Sequence, residues 1–229
     1  MRKISKEAPP AALTEWIAAN RNGPNCNYNA VGSGLRRIIR EALVFEQGGL
    51  CAYTGRMIDA DTCHIEHLKP QEHCINLEDV TYSNLVAAVP PPNTPTLPYG
   101  AHLKDNWPSV AESSLFVSPL SAGCSARFSF SFNGEIKPRN PTDNAAAETI
   151  ERLGLDHDIL VSFRRSAIRG TFQVRGRMLD AKSARRRLHG LEQKELTSRD
   201  LEQFSFSLID ALKKHIVRLQ KISEKKKKA

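Results

Sequence analysis

The sequence predicts an α+β fold that is mainly α, with a small ββ-plus-helix insert in its first half. Three observations predict it. Apolar residues recur at helical spacing over residues 34–47 and over most of the chain beyond residue 142. Residues 50–66 break that period with Tyr-Thr-Gly turn chemistry and two short strand-like pieces. Phe128-Ser-Phe-Ser-Phe132 alternates strictly and runs into Asn133-Gly134, a pair suited to tight hairpin turns.

The elements follow in chain order. Residues 9–20 read as a helix with proline at its start and Leu13, Trp16 and Ile17 on one face. Residues 20–34, rich in Gly and Asn, read as loop. Ser33 is placed to cap a helix over 34–47, where Leu35, Ile38, Ile39, Leu43 and Val44 form the apolar stripe. Gly48-Gly49 ends it. Residues 77–89 read as helix behind an acidic first turn, Glu78-Asp79. The proline-rich residues 90–98 can only be loop. A β-hairpin is expected over 127–136. A helix over 142–153 stops at Gly154. One long helix is expected from about Asp156, carrying Ile159, Leu160, Phe163, Ile168 and Phe172. Arg164, Arg165, Arg169, Arg175, Arg177 and Arg185 to Arg187 decorate it. A last amphipathic helix over 198–222 carries Leu201, Phe204, Leu208, Leu212, Ile216 and Leu219.

At 229 residues the chain can bury one good core or two small ones. It has no run of about 18 apolar residues, which argues against a membrane span. Its start lacks the apolar region of a signal peptide. Five scattered cysteines do not make a disulfide framework, so a reducing cytoplasm is expected. The net charge of +8 is unevenly spread. Residues 1–110 hold 10 Lys and Arg against 11 Asp and Glu, and residues 111–229 hold 23 against 14. The whole positive excess lies in the second half, a footprint that attracts polyanions such as nucleic acid.

The chemistry-bearing residues cluster earlier. Cys51-Ala-Tyr-Thr-Gly55 is followed by His64-Ile-Glu66-His67-Leu-Lys-Pro70, then Asn84-Leu85, then His102-Leu-Lys104. Phosphodiester hydrolysis at neutral pH needs a cation to neutralise the phosphate and a base of pKa near 7 to activate water. Glu66 and His67 supply an oxygen ligand and an imidazole. Neighbours on an extended strand point apart, so a bend is needed for both to serve one site. His102 would return from a later helix, and Lys104 could reach a phosphate. Taken singly, a Glu-His pair is usually a surface pair, and Asn84 after Ser83 is usually a cap. Only the ordered set is specific.

That ordered set resembles the HNH endonucleases of bacterial antiphage systems, in particular the PtuB subunit of Septu and of retron-linked cassettes. The matching residues are Gly49-Leu-Cys51-Ala-Tyr53-x-Gly55-Arg56, His64-Ile-Glu66-His67-x-Lys-Pro70, Tyr82-Ser-Asn84-Leu85 and His102-x-Lys104. Met1-Arg-Lys-Ile with Pro10-x-x-Leu13, the hairpin around Cys124-x-x-Arg127-Phe128, and Leu153-Gly-Leu155 to Arg164-Arg165 extend the likeness over most of the chain. The resemblance implies a ββα-metal core and nuclease activity with Mg²⁺ or Mn²⁺, Zn²⁺ being a further candidate. It implies His67 as general base, Glu66 and His102 as metal ligands with His64 joining the first or second shell, and Asn84 orienting the base. It also implies a PtuA-like ATPase partner, with a retron reverse transcriptase and its RNA–DNA product as further partners. The expected organisation is residues 1–48 for partner docking, 49–110 for the nuclease core, 111–140 for the loop and hairpin, 141–222 for a basic helical region, and 223–229 for a disordered Lys-rich tail.

One departure stands out. Many HNH proteins hold a structural zinc on two Cys-x-x-Cys pairs. Here Thr54 replaces the second Cys after Cys51, and Tyr99 precedes Gly100 where another is expected. The knuckle is expected to be lost, with Tyr53 and Tyr99 packing in its place. A substitute site from Cys63, His64, His73 and Cys74 is the alternative for zinc. Two competing functions follow: a decayed nucleic-acid-binding or scaffold subunit, and a zinc-bound regulatory protein.

Overall fold

The computed structural model describes residues 1–23, 26–174, 176–197 and 199–228. Pro24 and Asn25 of the expected loop, Arg175, and the Ser198 start of the expected last helix lie outside the described residues. The fold is α+β and mainly helical, with three two-stranded antiparallel sheets among the described residues. Among these residues no helix is long and apolar enough to cross a membrane.

Helix α1 spans Ala11–Asn20 and α2 spans Ser33–Glu46. Gly32, not Ser33, occupies the N-cap of α2. Gly48 and Gly49 take positive φ and turn the chain out of it. Strand β1, His64–His67, then pairs with β2, Leu85–Ala88, in the register His64↔Ala88 to His67↔Leu85. A one-turn helix α3, Ala101–Lys104, completes a ββα unit.

Strand β2 corrects the helix expected over 77–89. Leu85, Val86, Ala87 and Ala88 are all buried, and a short apolar run of this kind carries no period to separate strand from helix. Ladder pairing to β1 decides it. The acidic pair expected to open that helix does other work. Glu78 accepts from Ile75 N–H (2.8 Å) and Asp79 from Tyr28 N–H (2.7 Å).

The second half opens with a hairpin of β3, Phe128–Phe130, and β4, Ile136–Pro138. Its turn needs Gly134, at φ +83°. A Cβ there would lie 2.2 Å from the Val161 carbonyl oxygen, because the hairpin tip sits on a neighbouring helix. Asp143 caps α4, Asn144–Arg152, through Ala146 N–H. Next come α5, Asp158–Phe172, a small hairpin of β5, Gln173–Val174, and β6, Arg177–Met178, and then α6, Ala181–Thr197. The single long helix expected beyond Asp156 is therefore two helices split by a hairpin, with Gly176 at φ +75° in its turn. Helix α7, Ser205–Lys228, starts later than expected, since Leu201 and Phe204 are buried ahead of it. It also runs through the Lys-rich stretch expected to be disordered.

Two apolar clusters result. The larger joins the N-terminal segment, α2, the ββα unit, the β3–β4 hairpin, α4 and the start of α5. The smaller joins the far half of α5 with α6 and α7. Met1, Ile4 and Leu13 belong to the larger cluster and Lys6 is ion-paired with buried Glu46. Residues 1–20 are thus packed onto the body through Met1, Ile4, Lys6 and Leu13.

Arg164 corrects another expectation. It does not decorate the surface but is 2% exposed. Its Nε donates to the Gly134 carbonyl and its Nη2 to the Leu155 carbonyl, both at 2.7 Å. Burial pulls the guanidinium down to about 10, against the favourable field of Asp156. It remains charged at neutral pH and fastens the hairpin to α5.

Candidate active site

The period of two along β1 divides the expected residues between its faces. His64 and Glu66 lie on one, and Ile65 and His67 on the other. β1 is a regular four-residue strand in register with β2, so the bend that would bring Glu66 and His67 together is absent.

On the first face, the His64 ring nitrogen Nδ1 bonds to the Pro90 carbonyl. A carbonyl only accepts, so Nδ1 carries a proton, and in a neutral ring the lone pair is on Nε2. That Nε2 lies 3.6 Å from Glu66 Oε2. The other carboxylate oxygen, Oε1, accepts from Lys104 Nζ (3.0 Å) and Tyr53 OH (3.2 Å). Burial opposes ionisation of Glu66, but His64 in its protonated form and the Lys104 ammonium outweigh it and hold the carboxyl below its usual range. Burial, reinforced by the Glu66 charge, pushes the Tyr53 phenol well above 10, so it remains a donor. The His102 ring, from α3, stacks against His64 with centroids 6.1 Å apart and planes 26° from parallel. Its Nδ1 accepts from Leu97 N–H at 3.1 Å.

On the other face, His67 is 6% exposed and meets the edge of Tyr28, centroids 4.6 Å apart at 90°. Its Nε2 donates to the Asp79 carbonyl at 2.8 Å, which leaves the lone pair on Nδ1. Burial lowers the His67 pKa, against the Asp79 hydrogen bond, and keeps the ring neutral at neutral pH. Asn84 braces the loop that supplies this carbonyl. Its Oδ1 accepts from Lys69 N–H (2.7 Å), and its Nδ2 donates to the carbonyls of Lys69 and Glu78 (both 3.1 Å). The peptide that orients His67 is thereby fixed one residue from the Asn84 clamp.

Lys104 departs from expectation. It is 1% exposed, with Nζ on Glu66 Oε1 and 2.8 Å from the His67 main-chain carbonyl oxygen. A side chain so committed does not reach out to a phosphate. It ties α3 to β1. Tyr53 was legible as part of the Cys51-x-Tyr53 run. Asp79 was not, because its contribution to His67 is a backbone carbonyl that any residue would supply.

The donors fit a cation in part. The 3.6 Å between His64 Nε2 and Glu66 Oε2 is too long for a hydrogen bond. It is close to the ~3.4 Å edge of a zinc-like tetrahedron of ligands about 2.1 Å from a metal, and longer than the ~3.0 Å edge of an octahedron such as Mg²⁺ takes. His102 lies on the same side, but accepting from Leu97 places the proton of its neutral ring on Nε2. It must give up that bond before Nε2 can ligate. Among the described residues no three His, Cys, Asp or Glu side chains are arranged to hold a metal ion. Cys63 is fully buried, and Cys74 lies against Asn84 and the Lys69 carbonyl. His73 bonds to the Asn106 carbonyl, so the four candidates for a substitute zinc site are dispersed. Where the Cys pairs of HNH proteins would lie, Thr54 Cγ2 is 3.5 Å from the Cβ position of Gly100, and Tyr99 OH accepts from Arg56.

No family model matches the chain. A protein of Vibrio cholerae serotype O1 biovar El Tor named "Retron Vc95 putative HNH endonuclease" is 30% identical to it over 141 residues. The alignment takes in 59% of this chain and 65% of that protein, so the chain spans just under two thirds of the curated relative it matches.

Proposed function

We propose that the chain is a metal-dependent HNH nuclease that acts as effector of a retron-linked or Septu-type antiphage system. The observation that carries the reading is the gathering of His64, Glu66 and His102, from β1 and α3, on one face of a ββα unit. The likeness to a protein named as a retron HNH endonuclease supports the same chemistry. His64 and Glu66 would hold a divalent cation, Mg²⁺ or Mn²⁺ with Zn²⁺ as a further candidate, and His102 would join once Leu97 releases it. When bound, the cation neutralises the scissile phosphate and the departing oxygen.

The chain's own residues supply the rest. His67, neutral and oriented by the Asp79 carbonyl, offers Nδ1 to take a proton from the attacking water. Asn84 keeps that carbonyl in place. Lys104 holds the Glu66 carboxylate and the His67 backbone in a fixed relation. In-line displacement puts the attacking water and the departing oxygen on opposite sides of phosphorus. The PtuB-like assignment brings a PtuA-like ATPase as restraining partner, with a retron reverse transcriptase and its RNA–DNA product in the same assembly.

A specific observation favours a second reading, a decayed binding or scaffold subunit: no three metal donors converge among the described residues. Co-purification with the genomic neighbours, followed by cleavage assays on DNA and RNA with Mg²⁺, Mn²⁺ or EDTA, separates the two. Metal-stimulated cutting supports the nuclease. Tight binding with no cutting under any metal supports the scaffold.

A further inference from the structure

We infer that the far end of the helical half, formed by the end of α5, the β5–β6 hairpin, the start of α6 and the outer part of α7, docks a nucleic-acid phosphate backbone. The inference rests on the nuclease reading for its choice of polyanion. It adds a second contact surface, remote from the residues that would cut.

The basic side chains of this half fall into two groups. Several along its body, though partly or largely exposed, are paired: Arg127 with Asp143, Arg139 and Lys214 with Asp210, Arg187 with Glu202, and Lys213 with Glu192. Those at the far end are not. Arg169, Arg177, Lys182 and Arg185 are exposed and form no ion pair with a described acidic side chain. The nearby Asp180 carboxylate is engaged by Ser183 N–H at 2.7 Å and feels the charge of Lys182 without a close ion pair. Structural need therefore does not account for these four cations. They come from three successive elements, α5, β6 and α6, which the tight hairpin keeps at one end.

α7 extends the same surface. It runs antiparallel to α6, as the short link between them requires, and the His215 Nε2 bond to the Leu179 carbonyl marks where the start of α6 lies alongside it. From Val217 onward nearly every described side chain of α7 is exposed, with Arg218 and Lys221 one turn apart on one side. About ten residues of helix, some 15 Å, therefore project past the packed body with a basic face.

The distance from the chemistry gives the surface its use. α5 begins beside α3, where His157 meets Tyr99 at 6.1 Å. It is 15 residues long, so the basic end lies ~22 Å away. Duplex DNA carries one charge per ~1.7 Å of axis, and that span corresponds to about six base pairs. Guanidinium groups engage phosphates bidentately, and among the described side chains of this end the exposed large apolar ones are three scattered residues, Met178 on the hairpin and Val217 and Ile222 five positions apart on α7, not the continuous apolar face that insertion into a membrane surface requires.

The test uses the full-length chain and two probes, a 30-base-pair DNA duplex and a single-stranded RNA of equal length. Binding is read by fluorescence anisotropy from 50 to 200 mM salt. The fourfold variant Arg169→Ala/Arg177→Ala/Lys182→Ala/Arg185→Ala should lower the slope of log affinity against log salt by about 3 to 4. Its affinity at the low-salt end should fall at least ~10-fold. Arg218→Ala/Lys221→Ala should independently lower the slope by about 2, and circular dichroism verifies that both variants fold. Salt-dependent binding lost in the variants supports the docking surface even if no preparation cuts. A wild-type slope and affinity in both variants would overturn it whatever the cleavage result. So would charge-dependent capture of phosphatidylserine vesicles with no binding to either nucleic acid.

Discussion

Lys104 shows how much one buried cation decides. Its ammonium is the common partner of the Glu66 carboxylate and the His67 main-chain carbonyl of β1. Replacing it by methionine keeps the stem but leaves a mostly buried carboxylate without its cation. We predict that Lys104→Met destabilises the fold by about 3 kcal/mol in urea unfolding. A loss of cleavage with unchanged stability would instead place Lys104 in direct contact with substrate. Asn84 acts through the backbone. Asn84→Ala removes three bonds that close the loop over 69–84 and should cost about 1–3 kcal/mol. It should also speed hydrogen exchange in that loop, and unchanged exchange there would exclude the bracing role. The order Glu66, His67, Asn84, His102 was legible in the sequence because residue types survive in a string. The division of Glu66 and His67 between faces was legible only as a condition, the bend that an extended strand would need.

Strand β2 and helix α5 show where local pattern fails and where it holds. Leu85 to Ala88 looked helical because an apolar run buried on every side has no polar face to set a period, and pairing with β1 is a long-range fact. The break between α5 and α6 was hidden by the arginines, which suit a helix and a hairpin equally. By contrast Asn133-Gly134 announced its turn, since only a residue without a Cβ fits there. The structure adds a second reason, the contact of that turn with α5. We predict that Gly134→Ala destabilises the protein by more than ~1 kcal/mol, through strain at positive φ and through collision with the Val161 carbonyl. A neutral result in thermal unfolding would show that the hairpin does not rest on α5.

The two clusters and the charge imbalance describe one molecule with a near-neutral half that carries the candidate chemistry and a basic half that extends from it. Asp210 joins them. Its Oδ2 accepts from Phe130 N–H at 2.8 Å, and Arg139 and Lys214 flank it. Burial would raise its pKa, but these partners prevail and hold it below 3.8. With the folded value below the unfolded one, its contribution is complete above about pH 4 and is lost as pH falls through the folded value. Asp210→Asn should therefore cost about 1–3 kcal/mol at neutral pH and lessen the loss of stability in acid. Equal acid sensitivity of variant and wild type would contradict this. Removing residues 1–20 should open the larger core at Met1, Ile4 and Leu13 and give a chain without a cooperative transition. A cooperative transition in the truncated chain would show that this segment only docks. The central claim is that the ββα unit is a cation-dependent nuclease with His67 as its base. It is tested most directly by cleavage of DNA and RNA by the wild type and His67→Ala, each with Mn²⁺ and with EDTA. The account predicts cutting by the wild type with metal, none in EDTA, and a ~10²–10⁴-fold loss in His67→Ala with its fold intact. Undiminished cutting by His67→Ala, or by the wild type in EDTA, would contradict it.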